Sequence, residues 1–255
     1  MEKISYGDGE VAYKIVGKGR PVLFIHGMLT DHTTTGKFVN ELIRSGFKLI
    51  LLDLPGHGES TYWNRHVDKV VDSIHEVMKT LKLGKYYGIG HSMGTTLASE
   101  LARVDSNMEK VVLITPTVSK KHTTKFFIDR FWEGVRDLDI SLANLSRKIY
   151  IKNWWPEYSK VKIEKRIVEI LEQDWRAFAS GFLWGRTVDM ARNIEELGDR
   201  CMVIAGTHDQ IAPLKYVKLI AKNLEIVDCN HSSIRGKHLG KGKNNLFVKF
   251  FNKTT

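Results

Sequence analysis

Tyr86-Tyr87-Gly88-Ile89-Gly90-His91-Ser92-Met93-Gly94-Thr95-Thr96-Leu97-Ala98 decides how the rest of the chain is read. Its centre, Gly90-His91-Ser92-Met93-Gly94, fits G-x-S-x-G, the pattern of a sharp strand-to-helix turn with a serine at its tip. The glycines have a steric purpose: a turn that tight strains the serine backbone and leaves no room for a Cβ two residues to either side. Such a turn lifts the Ser92 hydroxyl above the sheet and points the first N–H groups of the next helix at whatever it attacks. Five matching positions alone are a weak signal, and a glycine-rich turn with a solvated serine would fit them too. The context is right, with a strand-like run over 85–89 and a helix-like run from Thr95 to Val104.

Working outward, strand and helix patterns alternate. Toward the N-terminus, Glu10–Val16 alternates like a half-buried strand, while Pro21–Ile25 and Phe47–Leu52 are continuous apolar runs, as buried parallel strands require. A helix pattern occupies Gly36–Arg44, and another runs from Val67 to Leu83 and stops at Gly84. Toward the C-terminus, Lys110–Ile114 is a strand closed by Thr115-Pro116. From Val118 to Leu197 the rhythm changes to aromatic-rich helical stretches with no convincing strand. Alternation resumes with the strand Cys201–Ala205, a helix over Leu214–Lys222, the strand Leu224–Cys229 and a terminal helix over Asn244–Asn252. The expected fold is α/β: a mostly parallel central sheet covered on both faces in three layers, with a helical insertion. Its domains are a core of residues 1–117 and 198–255 and a helical cap, or lid, over 118–197.

Composition excludes several classes. With 42% apolar residues in 255, the chain has ample material for one large domain, and no apolar run approaches the roughly 18–20 residues of a membrane span. The first residues lack the apolar stretch of a signal peptide, and two cysteines cannot make a disulfide framework. Cys201 and Cys229 each fall in an apolar strand, so buried free thiols and a cytoplasmic location are expected. The net charge of +10 is spread along the chain, densest over Arg235–Lys243, without a nucleic-acid-binding motif; a solvated lysine-rich surface accounts for it, and no nucleic-acid partner is expected.

Open parallel sheets bind ligands beyond the carboxyl ends of their strands. His26-Gly27-Met28, Asp53, Ser92, Asp209 and His231 all fall directly after strand patterns. A serine needs an adjacent base to become nucleophilic, and a histidine base needs a carboxylate to fix its tautomer. The order Ser92, Asp209, His231 suits this topology. His26, His57, His91 and Asp53 are further candidates by residue type, and His238 is a second histidine near the late loop; His231 is preferred because it directly follows a strand.

On these motifs, namely Phe24-Ile25-His26-Gly27, Asp53-Leu54-Pro55-Gly56-His57-Gly58-Glu59-Ser60, Gly90–Gly94, Gly206-Thr207-His208-Asp209-Gln210-Ile211-Ala212-Pro213 and His231, the chain resembles the α/β-hydrolase fold superfamily. The likeness is to its small capped branch of serine esterases and C–C hydrolases and covers nearly the whole length. It implies Ser92 as nucleophile, Asp209 as orienting acid, His231 as base, and the backbone N–H groups of Met28 and Met93 as an oxyanion hole. In this family the positions of His26 and His57 usually hold loops in place, and Asp53 is expected to do the same. Asn230, where relatives commonly have glycine, is a departure. The acid that the superfamily sometimes places before the insertion is missing from Thr115-Pro116-Thr117.

The cap aromatics, Trp132, Trp154 and Trp184 among them, would line an apolar substrate pocket. The activity expected is that of a carboxylesterase acting on small-to-medium apolar acyl esters through an acyl-enzyme, with no cofactor and no metal. A C–C bond hydrolase, needing a basic side chain such as Arg186 or Arg130 in the pocket, remains open. So do a thioesterase or lactonase, a cofactor-free perhydrolase, and a ligand sensor on a hydrolase fold.

Overall fold

The apolar runs that read as buried strands are strands, and each contributes to two cores at once. In a computed structural model that describes residues 1–35, 37–118, 121–125, 176, 183–231, 234 and 236–253, eight strands form one sheet in the order β1-β2-β4-β3-β5-β6-β7-β8. They are β1 (Glu2–Tyr6), β2 (Gly9–Gly17), β3 (Arg20–Ile25), β4 (Phe47–Leu52), β5 (Tyr86–His91), β6 (Met108–Ile114), β7 (Cys201–Gly206) and β8 (Leu224–Val227). β1 and β2 are antiparallel to their neighbours; all pairs from β4 through β8 are parallel.

Successive residues of a strand point to opposite faces. Leu23 and Ile25 of β3, Ile50 and Leu52 of β4, Val111 and Leu113 of β6, and Val203 and Ala205 of β7 enter one core. Their alternates Val22, Phe24, Leu49, Leu51, Val112, Ile114, Met202 and Ile204 enter the other. The first core is covered by α2 (Val67–Thr80), α3 (Gly94–Val104) and α4 (Met190–Leu197). The second is covered by α1 (Lys37–Arg44) and, beyond the short helices α5 (Leu214–Val217) and α6 (Gly236–Leu239), by α7 (Leu246–Asn252). The chain is therefore the three-layer α/β sandwich that its alternation implied.

Local chemistry sets the element ends. Asn245 is fully buried and its side chain accepts from the N–H groups of Phe247 and Val248, capping α7. The other end of α7 is closed by Lys110 of β6, whose buried Nζ donates to the carbonyls of Phe250 (2.9 Å), Phe251 (3.5 Å) and Lys253. Arg200, just before β7, donates to the carbonyls of Ala102, Met108 and Glu109 and ties the exit of α3 to β6.

Three elements differ from the sequence reading. β1 went unread because its burial is only partial; it is the outer half of a hairpin whose Gly7, at φ +58°, turns the chain. The helix expected over Leu214–Lys222 is one turn, Leu214–Val217, after which Ile220 bonds back three residues to Val217. The strand expected to reach Cys229 ends at Val227. Cys201 and Cys229 are buried and not joined in a disulfide, as expected, and burial pushes the Cys201 thiol up to about 12. Most of the expected cap, including Trp132 and Trp154, lies outside the described residues. Among the described residues no helix is long and apolar enough to cross a membrane.

Candidate active site

β5 and α3 meet at Ser92, whose backbone is left-handed at φ +52°. For a non-glycine residue this is a strained conformation, held here by the surrounding packing. The Ser92 N–H donates to the Ile114 carbonyl of β6, and its carbonyl accepts from Thr95. The flanking glycines are sterically required. A Cβ on Gly94 would stand 2.3 Å from the Ile25 carbonyl oxygen and 2.4 Å from that of His26; one on Gly90 would stand 2.6 Å from the Gly94 carbonyl oxygen. The same close approach lays the loop after β3 against the elbow, since a Cβ on Gly27 would be 3.3 Å from Ser92 Cβ.

The acid and base positions come from neighbouring loops at the carboxyl ends of β7 and β8, at the same end of the parallel strands as Ser92. Asp209 follows β7 and His231 follows β8, and the two loops cross tightly. The N–H groups of Thr207 and His208 donate to the carbonyls of Val227 and Cys229, and a Cβ on Gly206 would be 2.4 Å from the Cys229 oxygen.

The three side chains meet in a line. His231 Nδ1 lies 2.8 Å from Asp209 Oδ2, and His231 Nε2 lies 2.7 Å from Ser92 Oγ. Asp209 Oδ1 accepts from the N–H groups of Ile211 (2.9 Å) and Ala212 (2.8 Å). Asp209 and His231 are both buried, while Ser92 is half-buried. Burial alone would raise the Asp209 carboxyl, but the His231 charge and hydrogen bond together with the two backbone N–H groups outweigh it, so it titrates below the ordinary carboxylate value. An ionised Asp209 can only accept; His231 therefore carries its proton on Nδ1, leaving the Nε2 lone pair for the Ser92 hydroxyl to donate to. Among the described residues, neither the Met28 nor the Met93 N–H has an acceptor within the chain.

The other histidines and Asp53 have different work. The Leu54 N–H donates to His26 Nε2 (2.9 Å), so the His26 Nδ1 proton goes to the Gly27 carbonyl (2.8 Å). Burial, and then the neighbouring His57, hold His26 well below the usual histidine range, as a neutral pin for the loop. His57 donates from Nδ1 to the Pro55 carbonyl and lies edge-on to His26 at 5.2 Å. Burial and His231 lower His91 to about 4; its Nε2 lies 3.4 Å from the His231 carbonyl. Asp53 accepts from the backbone and ring N–H groups of His32 and from the Glu59 N–H. This His32 clamp, which fastens the loop after Met28 to the end of β4, was not legible in the sequence, because nothing in the spacing links positions 32 and 53.

His238 lies on α6; the ring at Ser92 is that of His231. Arg186 is exposed on the helical residues 183–187, and Arg130 lies outside the described residues. Trp184 is fully buried in the first core, with its ring 6.4 Å from that of His57 and its N–H on the Asn64 carbonyl (3.1 Å). Among the described residues, no group of three His, Cys, Asp or Glu side chains could hold a metal ion.

Sheet order, elbow and loop placement define an α/β-hydrolase-fold protein, and residues 20–139 match the sequence profile of the family described as alpha/beta hydrolase fold. Among curated proteins the chain is 26% identical over 254 residues to AB hydrolase superfamily protein YisY of Bacillus subtilis, covering 93% of each chain. Among solved structures it superposes on the enol-lactonase of Burkholderia xenovorans LB400 with a TM-score of 0.76 at 17% identity, covering 99% of this chain and 100% of that one. An esterase from Exiguobacterium antarcticum gives 0.72 at 17% identity over 88% and 89% of the two chains. At that identity the structural matches speak for the fold alone.

Proposed function

We propose that the protein is a serine carboxylesterase that cleaves small-to-medium apolar acyl esters through an acyl-enzyme. The observation that carries the reading is the continuous hydrogen-bonded line from Asp209 through His231 to Ser92, at 2.8 and 2.7 Å. Ser92 Oγ attacks the ester carbonyl as His231 Nε2 takes its proton. Asp209, already ionised, stabilises the imidazolium that forms. The N–H groups of Met28 and Met93, which have no acceptor among the described residues, receive the developing oxyanion. One such donor is worth about 3–4 kcal/mol of barrier in other hydrolases. The imidazolium then gives its proton to the departing alkoxide. Water, deprotonated by the same histidine, attacks the acyl-enzyme and releases the carboxylic acid, returning the proton to Ser92.

The test is turnover of p-nitrophenyl esters from acetate to decanoate by the wild type and by Ser92→Ala. Hydrolysis that disappears in Ser92→Ala supports the reading, and the optimum sizes the acyl site. A folded wild-type protein that turns over none of them refutes it. A lactone is an ester whose leaving group stays tethered, so adding a lactone to the series tests the same chemistry on a cyclic substrate.

A further inference from the structure

The Asp209 carboxylate is held by two successive peptide groups, and each of those is held in turn from outside the acid loop. The N–H of Ile211 donates to Asp209 Oδ1, and the carbonyl of the same peptide, that of Gln210, accepts from His122 Nε2 at 2.9 Å. The N–H of Ala212 donates to the same Oδ1, and the carbonyl of its peptide, that of Ile211, accepts the Thr123 hydroxyl at a longer 3.4 Å. A carbonyl can only accept, so the His122 Nε2 is protonated in this contact. Two adjacent residues of the helical segment 121–125, just after the strand that precedes the expected cap, thus engage the two adjacent peptides whose N–H ends aim at the acid. The His122 ring is supported by Tyr216 of α5, with ring centroids 5.4 Å apart.

We infer that His122, assisted by Thr123, is a positioning residue that couples the root of the cap to the catalytic acid through the peptides 210–211 and 211–212. The inference rests on the reading of Asp209 as the orienting acid. A donor on a peptide oxygen fixes the plane of that peptide and strengthens its N–H as a donor, since hydrogen bonds in a chain polarise one another. With His122 in place both N–H groups stay aimed at Oδ1, and Oδ2 stays turned toward His231. Without it the acid loop keeps its backbone contacts with the His231 loop but loses the restraint on the face that bears the acid. The effect falls on the rate of the chemical step, because neither side chain touches Ser92 or the N–H groups of Met28 and Met93.

The test compares His122→Phe, which keeps a ring against Tyr216 but removes the donor, with His122→Gln, which keeps an N–H donor at similar reach. Thr123→Val is measured beside them, with fold checked by thermal unfolding. His122→Phe is expected to lower kcat by about three- to tenfold, the worth of one hydrogen bond, with KM unchanged. His122→Gln restores most of it, and Thr123→Val loses less, in keeping with its longer contact. A second readout needs no substrate: the NMR chemical shift of the His231 Nδ1 proton, on histidine-labelled protein, moves upfield in His122→Phe as its hydrogen bond to Asp209 loosens. A kcat unaffected by His122→Phe, equal losses in the Phe and Gln variants, or an unmoved or downfield-shifted His231 Nδ1 proton overturns the inference. If the wild type shows no Ser92-dependent turnover, the esterase reading fails, and the His231 Nδ1 proton still decides the coupling.

Discussion

Replacing Asp209 by asparagine tests the electrostatics of the site more severely than removing the side chain altogether. Two N–H groups, those of Ile211 and Ala212, already converge on Oδ1. An amide at this position must turn its oxygen toward them, because an NH2 there would oppose two donors. Its NH2 then faces His231 Nδ1, where Oδ2 now lies at 2.8 Å. To accept from that amide, His231 has to move its proton from Nδ1 to Nε2, and Nε2 becomes a donor toward Ser92 instead of a base. On the proposed function, the loss expected is about 10³- to 10⁴-fold in kcat at neutral pH, or roughly 4–5.5 kcal/mol of barrier, the scale at which a wrong histidine tautomer acts in serine hydrolases. Asp209→Ala imposes no tautomer, so it retains more activity than Asp209→Asn although it deletes more atoms. The assay is kcat for the best p-nitrophenyl ester with both variants, alongside thermal unfolding to match their folded fractions. An asparagine variant as active as the alanine variant refutes the tautomer argument, and one keeping a tenth of wild-type activity also removes Asp209 from the chemistry.

Other outcomes follow from the same geometry. Gly94→Ala forces a Cβ to 2.3–2.4 Å from two backbone oxygens, which only a shift of the Ile25–His26 backbone or of the elbow can relieve. A loss of about 1–3 kcal/mol in urea unfolding is expected, with a fall in kcat as the loop bearing Met28 moves. His91 titrates near 4 in the fold against a usual 6.5, so its charged form favours the unfolded chain. The stability associated with neutral His91 is present above pH 6.5 and declines as pH falls toward 4. His91→Gln is expected to flatten the dependence of the thermal midpoint on pH across that window. Lys110→Met leaves the carbonyls of Phe250, Phe251 and Lys253 without their shared donor at the end of α7. A loss of about 1–3 kcal/mol is expected, and an unchanged unfolding midpoint would show that water replaces the ammonium.

The legible parts were those fixed by burial and by short-range sterics. Val22–Ile25 and Val111–Ile114 announce two-faced strands because both faces are covered, and Gly90 and Gly94 announce the elbow because no Cβ fits there. The order of Ser92, Asp209 and His231 was readable because each follows a strand, and the sheet puts strand ends side by side. What escaped depends on contacts between remote backbone groups. β1 is only half-covered, so it carries no strong apolar signal. The helix after Leu214 stops at Val217 although the residues that follow suit a helix; Leu219 stands 80% exposed, and Ile220 and Ala221 still meet the core from turns that bond back to Val217. His32 on Asp53, and His122 on the Gln210 carbonyl, join positions 21 and 88 residues apart with residue types common on any surface. Trp184, expected as pocket lining, is fully buried, and its contacts with His57 and Asn64, both remote in sequence, could not be read from the residues around it.

β6 and β7 are hydrogen-bonded neighbours, paired from Val111–Cys201 to Ile114–Ile204, yet most of a hundred residues separate them in the chain. The Thr115 N–H still bonds to the Ile204 carbonyl, so the sheet closes across the gap whatever the intervening stretch contains. Ser92 lies before that gap, and Asp209 and His231 lie after it. Selection can therefore lengthen, shorten or rewrite the interval without disturbing the line of Asp209, His231 and Ser92, and, on the proposed function, so alter which acyl or alcohol groups are accepted. Exchanging intervals between relatives becomes a natural experiment in substrate range, with the register of β6 against β7 as the fixed seam.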